Sequence, residues 1–235
     1  MASTESFSSN AGNREGPIIL QPFGGALGFA DEVILVAALG RGCLIAFPTD
    51  TVYGVGANAG NRRAIRRLFE AKQRPSAKPL PVLIPDRDAL TACARIVPAA
   101  AWALAEAFWP GPLTIILPRS DAICAEAVAG GDTVGLRVPD HPVALQVLRA
   151  VGGPMAVTSA NLSGEESTVS GAEVLRSLGP WLEVLIDAES PGSGLPSTVL
   201  DLTTSPPCLL RRGALTVEEL ASVIGEIAWD REPAP

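Results

Sequence analysis

The stretch Phe47–Lys78, FPTDTVYGVGANAGNRRAIRRLFEAKQRPSAK, restricts the possible folds more than any other part of the chain. An apolar run, Cys43-Leu44-Ile45-Ala46-Phe47, meets Pro48. Proline fixes φ and has no N–H to donate, so a buried strand is predicted to end there. Thr49, Asp50 and Thr51 then stand at the C-terminal end of that strand, the edge at which open α/β sheets bind ligands. In the loop expected next, Gly54 and Gly56 permit close backbone approach, and Asn61 suits the N-cap of a helix running to about Lys72. Pro75 follows directly.

The same alternation continues along the chain. Helices are predicted at Asp31–Leu39, Ala99–Trp109, His141–Ala150 and Ala172–Leu178, with a last one behind Thr216, whose first turn carries Glu218 and Glu219. Strands are predicted at 81–85, 113–117, 133–139, 154–158, 183–187, 198–202 and 208–211, while 121–131 reads as a weak helix or loop. The closing strands lie close together in sequence. That pattern predicts one α/β domain, a twisted mixed parallel/antiparallel sheet flanked by helices, with no internal repeat.

Several chemistries are excluded by what the sequence lacks. No G-x-x-x-x-G-K-[ST] stretch exists. Gly54-x-Gly56-x-x-Ala59 fits a dinucleotide fingerprint, but six residues separate it from Phe47, too many for that tight turn. One histidine, His141, and four scattered cysteines, Cys43, Cys93, Cys124 and Cys208, argue against zinc and against a Ser-His-Asp triad, so no metal-ligand set is expected. His141 is read as structural or exposed and the cysteines as free thiols in a reducing compartment. No apolar run approaches the roughly 18 residues of a membrane span, and the N-terminus has no secretory pattern; a cytoplasmic location is expected.

Charge points to a local anion site. The net charge is −7, yet seven of the 18 Lys and Arg lie between Arg62 and Lys78 against one acid, Glu70. Lys72, Arg74 and Lys78 either complement a helix dipole or, beside a strand-end loop, take a polyphosphate. Ser159-Ala160-Asn161 ends another strand and is either a turn or a second part of the same site. Asn161-Leu162-Ser163 matches a glycosylation sequon, discounted for want of an export signal. Arg137, Ser197 and Arg211 also fall near strand boundaries. Together these are guanidiniums, ammoniums and hydroxyls, with no base.

The segments FPTDTVYGVGANA, KQRP, PGPLT, GLRVPDHP, SANLSG, STVLDL and LLRRGAL, in this order, resemble the YrdC-type threonylcarbamoyl-AMP synthase family over roughly Asp31 to Ile227. Its KxR…SxN signature is matched by Lys72, Arg74, Ser159 and Asn161. The resemblance implies a YrdC-like fold in stand-alone form, without the C-terminal domain of larger members: a flexible lead at 1–28, a catalytic domain at 29–228 and a tail at 229–235. It implies an enzyme that joins L-threonine, bicarbonate and ATP into threonylcarbamoyl-adenylate with release of pyrophosphate. Partner proteins would then transfer the threonylcarbamoyl group to the adenosine next to the anticodon of ANN-reading tRNAs. By the same resemblance Thr51, Leu83, Arg137, Val157 and Ser197 bind threonine. Arg74, Lys78, Thr133, Ser159, Ser167 and Arg211 bind ATP, with Mg2+ held mainly through the nucleotide, and Lys72 and Asn161 complete the catalytic signature. Arg212 stands where the family pattern has proline, which leaves open whether Arg211 or Arg212 faces the nucleotide. An alternative is a module that binds double-stranded RNA or tRNA through the stripe at Arg62–Lys78, and another is a paralogue with related carbamoyl-adenylate chemistry. Acidity and an aromatic content of 5% weigh against RNA.

Overall fold

Eleven short strands form a single mixed sheet in the computed structural model, which describes residues 16–166, 168–189 and 195–229. The chain opens with β1 (Ile18–Leu20), α1 (Phe29–Gly40), β2 (Leu44–Pro48), β3 (Tyr53–Asn58) and α2 (Arg62–Lys72). Next come β4 (Val82–Leu83), α3 (Leu90–Cys93), α4 (Ala99–Phe108), β5 (Leu113–Pro118), β6 (Thr133–Arg137), α5 (Pro142–Val151) and β7 (Met155–Ser159). It closes with α6 (Gly171–Leu178), β8 (Leu182–Ile186), β9 (Thr198–Asp201), β10 (Cys208–Arg211), α7 (Val217–Ile224) and β11 (Ala228–Trp229). The spatial order is β1-β8-β2-β3-β7-β4-β6-β5-β9-β10-β11. The expected α/β sheet with flanking helices is what is found.

Helix ends follow the local chemistry. Asn61 accepts from the Ala64 N–H at the start of α2, and Thr216 with Glu219 closes a reciprocal capping box on α7. Buried His141 caps α5: Nδ1 accepts from the Ala144 N–H, so Nε2 carries the proton and donates to the Glu189 carbonyl at 3.0 Å. The structural reading of His141 therefore holds. The four cysteines are free thiols, and burial pushes Cys93 up to about 11.

Two expectations need correction. The glycine-rich segment read as a loop is β3, antiparallel to both β2 and β7. A Cβ on Gly54 or Gly56 would stand 2.7 or 2.8 Å from the methyls of Val157, so glycine makes room for a neighbouring strand's side chain. Second, residues 18–20, assigned to a flexible lead, pair in parallel with β8. Leu20 and Leu27 are buried, and Leu27 exchanges two hydrogen bonds with the Gln146 amide. Likewise, the assigned tail begins inside β11, and its remainder lies outside the described residues.

The two sheet faces are covered unequally, and this creates the site. The larger core packs α2, α3, α4, α6 and α7 against one face. The smaller core packs α1 and α5 onto the other, over Ile45, Phe47, Leu83, Met155, Val157, Val184 and Ile186. No residue of β5, β6, β9 or β10 belongs to that smaller core, so among the described residues no helix lies over the strands on this half of the second face. There Ile116, Gly135 and Val199 are half-exposed while their strand neighbours are buried.

Candidate active site

Strand register assigns side chains to this open face before any contact is considered, because directly paired residues share a face and alternate residues along a strand do too. Leu83 pairs with both Met155 and Arg137, Gly54 with Ser159, Thr114 with Val199, and Val199 with Arg211. Thr133, Arg137, Leu83, Val157, Ser159 and Arg211 therefore belong to one surface. Arg212 falls elsewhere, its guanidinium stacked 3.8 Å from the Trp229 ring centroid. Arg211 is thus the arginine that faces the site.

At one end of the face lies a buried guanidinium. Arg137 is 8% exposed; Nε donates to the Gly111 carbonyl at 3.0 Å and Nη2 to the Asp50 carboxylate at 2.5 Å. Burial pushes its pKa down and Asp50 opposes that, so it stays a cation. Of its five N–H donors these two are committed, and the Nη1/Nη2 edge remains as a fork for a carboxylate. Beside it Arg211 donates through Nε and Nη2 to the Ser197 carbonyl and through Nη2 to Ser197 Oγ, which also shares a 2.8 Å hydrogen bond with Thr114 Oγ1. Desolvation, with the Arg137 charge second to it, lowers the pKa of Arg211.

The polar loop after β2 does not stay at its own sheet edge. β2 and β7 run in the same direction, so Pro48 and Ser159 end at one edge, as expected. β6 runs oppositely, which puts Arg137 level with Met155, four residues or about 13 Å of strand away. Asp50 meets Arg137 because the loop folds inward over the face. Thr49 shapes that fold: its hydroxyl donates to the Val52 carbonyl at 2.6 Å and accepts from the Thr51 and Val52 N–H groups. Thr51 is buried in it, with its hydroxyl 3.1 Å from that of Thr49.

The second cluster lies where α2 ends against the end of β7. Lys72 is 1% exposed. Its ammonium donates to the Ser159 carbonyl at 2.5 Å, to the Asn161 carbonyl, and to Asn161 Oδ1 at 3.3 Å. All three of its donors are therefore used inside the protein. The reason is topological: α2 delivers its last turn onto strand-end carbonyls that have no further ladder partner. Its backbone carbonyl also accepts from Ser163 N, and Asn161 Nδ2 donates to the carbonyls of Leu162 and Glu165. Burial, with the Arg74 charge beside it, lowers Lys72 to about 8, while Glu165 pushes back. Arg74, half-buried, donates to the carbonyls of Lys78 and Pro79 and lies with exposed Lys78 around the turn after α2.

The structure splits the basic run read as one site. α2 packs on the larger core, so Arg62, Arg66 and Arg67 lie on the far side of the sheet from the open face. There Arg62 and Arg66 pair with Glu126, and Arg67 donates to the Trp181 carbonyl. Thr133 is exposed at the opposite end of β6 from Arg137. Ser167 lies outside the described residues. Thr114, Gly111 and Asp50 join the site without having been assigned a role from the sequence; only Asp50 carried a signal, its place in the strand-end triplet.

A mixed sheet with one half-open face, carrying the buried Arg137, a second arginine held on Ser197, a clamped strand-end loop and hydroxyls, defines an α/β protein with cations gathered on one face. Comparison with known proteins specifies it further. The profile of the Sua5/YciO/YrdC family, described as "Telomere recombination", matches residues 37–213, and the chain belongs to this family. It is 45% identical over 187 residues to the threonylcarbamoyl-AMP synthase of Pyrococcus abyssi, covering 80% of this chain and 55% of that protein. A putative threonylcarbamoyl-AMP synthase of Mycobacterium tuberculosis is 38% identical over 193 residues, covering 82% of this chain and 88% of the relative. The structure of P. abyssi Sua5 complexed with L-threonine superposes with a TM-score of 0.84 at 40% identity, over 91% of this chain and 62% of that one. Escherichia coli YciO gives 0.74 at 26% identity, over 86% and 98%. The chain spans about half the length of the P. abyssi and Bacillus subtilis synthases it matches.

Proposed function

We propose that this chain is a threonylcarbamoyl-AMP synthase, a nucleotidyltransferase that condenses L-threonine, bicarbonate or CO2 and ATP into L-threonylcarbamoyladenylate and pyrophosphate. The observation that carries the reading is the open guanidinium fork of Arg137 beside Ser197 and Arg211, on the same face as Ser159 and its clamped loop. A relative at 40% identity holds L-threonine in its structure.

In this reading the threonine carboxylate lies on the Arg137 fork, with Thr51 and Ser197 supplying hydroxyls and Leu83 and Val157 the apolar wall. ATP lies along Arg74, Lys78, Ser159, Ser167 and Arg211, with Thr133 at the far end. The threonine amine, once free of its ammonium proton, forms the N–C bond to CO2 and releases a further proton. A carbamate oxygen then attacks the α-phosphorus as the bond to the pyrophosphate oxygen breaks. Such a displacement depends on alignment and on neutralising phosphate charge. Arg211 touching Ser197 supports this, because it joins an ATP-side cation to a threonine-side hydroxyl where the two substrates must meet. Mg2+ would be carried by the triphosphate and water, where it would supply charge neutralisation. The product would pass to tRNA threonylcarbamoyl-transferase proteins for N6-threonylcarbamoyladenosine formation on ANN-decoding tRNAs in the cytoplasm, with direct tRNA contact a separate question. No helix among the described residues is long and apolar enough to cross a membrane.

The test is a product assay with ATP, Mg2+, labelled bicarbonate and a panel of amino acids. A labelled, acid-labile adenylate and pyrophosphate that appear only with threonine are expected. ATP binding without such a product points to a paralogue with other carbamoyl-adenylate chemistry. Absence of ATP binding, with salt-dependent affinity for double-stranded RNA, points to an RNA-binding module.

A further inference from the structure

The part-buried Asp50–Arg137 pair is left incomplete by the protein itself. Asp50 Oδ2 accepts a hydrogen bond from Arg137 Nη2, but Oδ1 is buried and has no hydrogen-bond partner among the described residues. A buried carboxylate oxygen without a donor is costly, and native proteins rarely keep one without use. Fold stability alone does not account for it, since the hydrogen bond to the guanidinium uses only Oδ2. The pair is also net neutral. A lone buried arginine would suit a simple carboxylate, whereas an arginine with an adjacent half-used carboxylate matches a ligand carrying both an anion and a cation a few ångströms apart. Asp50 lies in the lip that folds over the open face, between Thr49, which pins the loop, and buried Thr51.

We infer that Asp50 is a specificity-determining residue that receives the α-amino group of the amino-acid substrate on Oδ1, while the Arg137 fork takes its carboxylate. The inference rests on the proposed use of Arg137 for the amino-acid carboxylate. The amine, placed against Oδ1, gives that oxygen its missing donor. The residue thereby selects α-amino acids over carboxylic acids lacking the amine and fixes the nitrogen that must meet CO2. The proton of the nascent N–C adduct leaves towards this carboxylate or solvent, and no further reactant is required.

Calorimetric binding, which needs no turnover, tests this with threonine and with 3-hydroxybutyrate, which keeps the carboxylate and hydroxyl but lacks the amine. Wild-type protein should bind threonine about 10- to 100-fold more tightly, the span of one charge-assisted hydrogen bond. In Asp50→Asn and Asp50→Ala that ratio should collapse to within about threefold, with ATP affinity retained as the control for an intact fold. Equal binding of the two ligands by wild-type protein overturns the inference even if neither variant folds. Threonine affinity unchanged in Asp50→Asn, or loss of both ligands in parallel, also overturns it, leaving Asp50 as a counter-ion only. If wild-type protein binds no threonine at all, the threonine reading fails first and this inference with it.

Discussion

Arg137 and Lys72 are both buried cations close to strand ends, and they do opposite things with their donors. Arg137 commits two of its N–H groups to Gly111 and Asp50 and keeps a planar edge open. Lys72 gives every donor to the loop after β7 and has none left for a substrate. The difference follows from side-chain chemistry. A guanidinium has enough donors to be held and still to bind, whereas an ammonium held by three acceptors is finished as a ligand-binding group. Lys72 thus holds the Ser159 and Asn161 carbonyls in place, and we propose that it serves as a positioning residue, a different task from that of its signature neighbour Arg74. In the proposed reading, direct phosphate contact falls to Arg74, Lys78 and Arg211.

The largest effect expected from this contrast is at Lys72. Lys72→Ala leaves buried carbonyls of Ser159 and Asn161 without a donor, at roughly 1–3 kcal/mol each. Product formation should fall about 100-fold or more, and thermal melting should show a loss of about 2–4 kcal/mol. An unchanged melting temperature with weakened ATP binding would return Lys72 to the phosphate contacts and break the comparison. Arg137→Lys comes next, because a point charge replaces the fork: KM for threonine should rise about 10- to 100-fold with ATP affinity within about threefold of wild type. A rise in both constants would mean that Arg137 serves the whole face.

Arg74→Ala and Arg211→Ala should each raise KM for ATP about 10-fold, the lower end of a charge-assisted contact, while Arg212→Ala, stacked on Trp229, should change it little. Equal losses at Arg211 and Arg212 would undo the assignment by register. The smallest effect is in pH. With Lys72 lowered to about 8, its ammonium deprotonates as pH rises past that value and leaves two donors for three acceptors. The rate in a pH profile should therefore drop, by less than about 10-fold, between pH 7 and 9. Stability should respond in the other direction. The unfolded chain keeps this proton up to about 10.5 and so binds more protons than the folded one between about 8 and 10.5, where the Lys72 contribution to stability rises with pH. Both curves can be followed on one preparation, and a rate that is flat through pH 8 would separate Lys72 protonation from loop order.

Much of the fold was legible because its signals are local. Asn61, Thr216, Pro48 and Pro75 mark element ends through their own backbone and side-chain chemistry, and the helix over 62–72 came out as its apolar spacing required. β3 was missed because two glycines in five residues look like a loop. Their reason for being glycine is Val157, a hundred residues away in the sequence and 2.7 Å away in space. The basic run misled for a related cause. Cation spacing along α2 does not reveal that its arginines lie behind the sheet, nor that Glu126 neutralises two of them.

By itself the sequence determined most of the element types, the mixed α/β class and the candidate residues at strand ends. Tertiary structure decided which of those residues meet. Register puts Arg137, Leu83, Val157, Ser159 and Arg211 on one face and removes Arg212, and strand direction sends Arg137 to the edge opposite Ser159. The fold of the β2–β3 loop then brings Asp50 back to Arg137. Pairing partners and donor use depend on long-range geometry, and a one-dimensional pattern records only which groups are available, not which are already engaged.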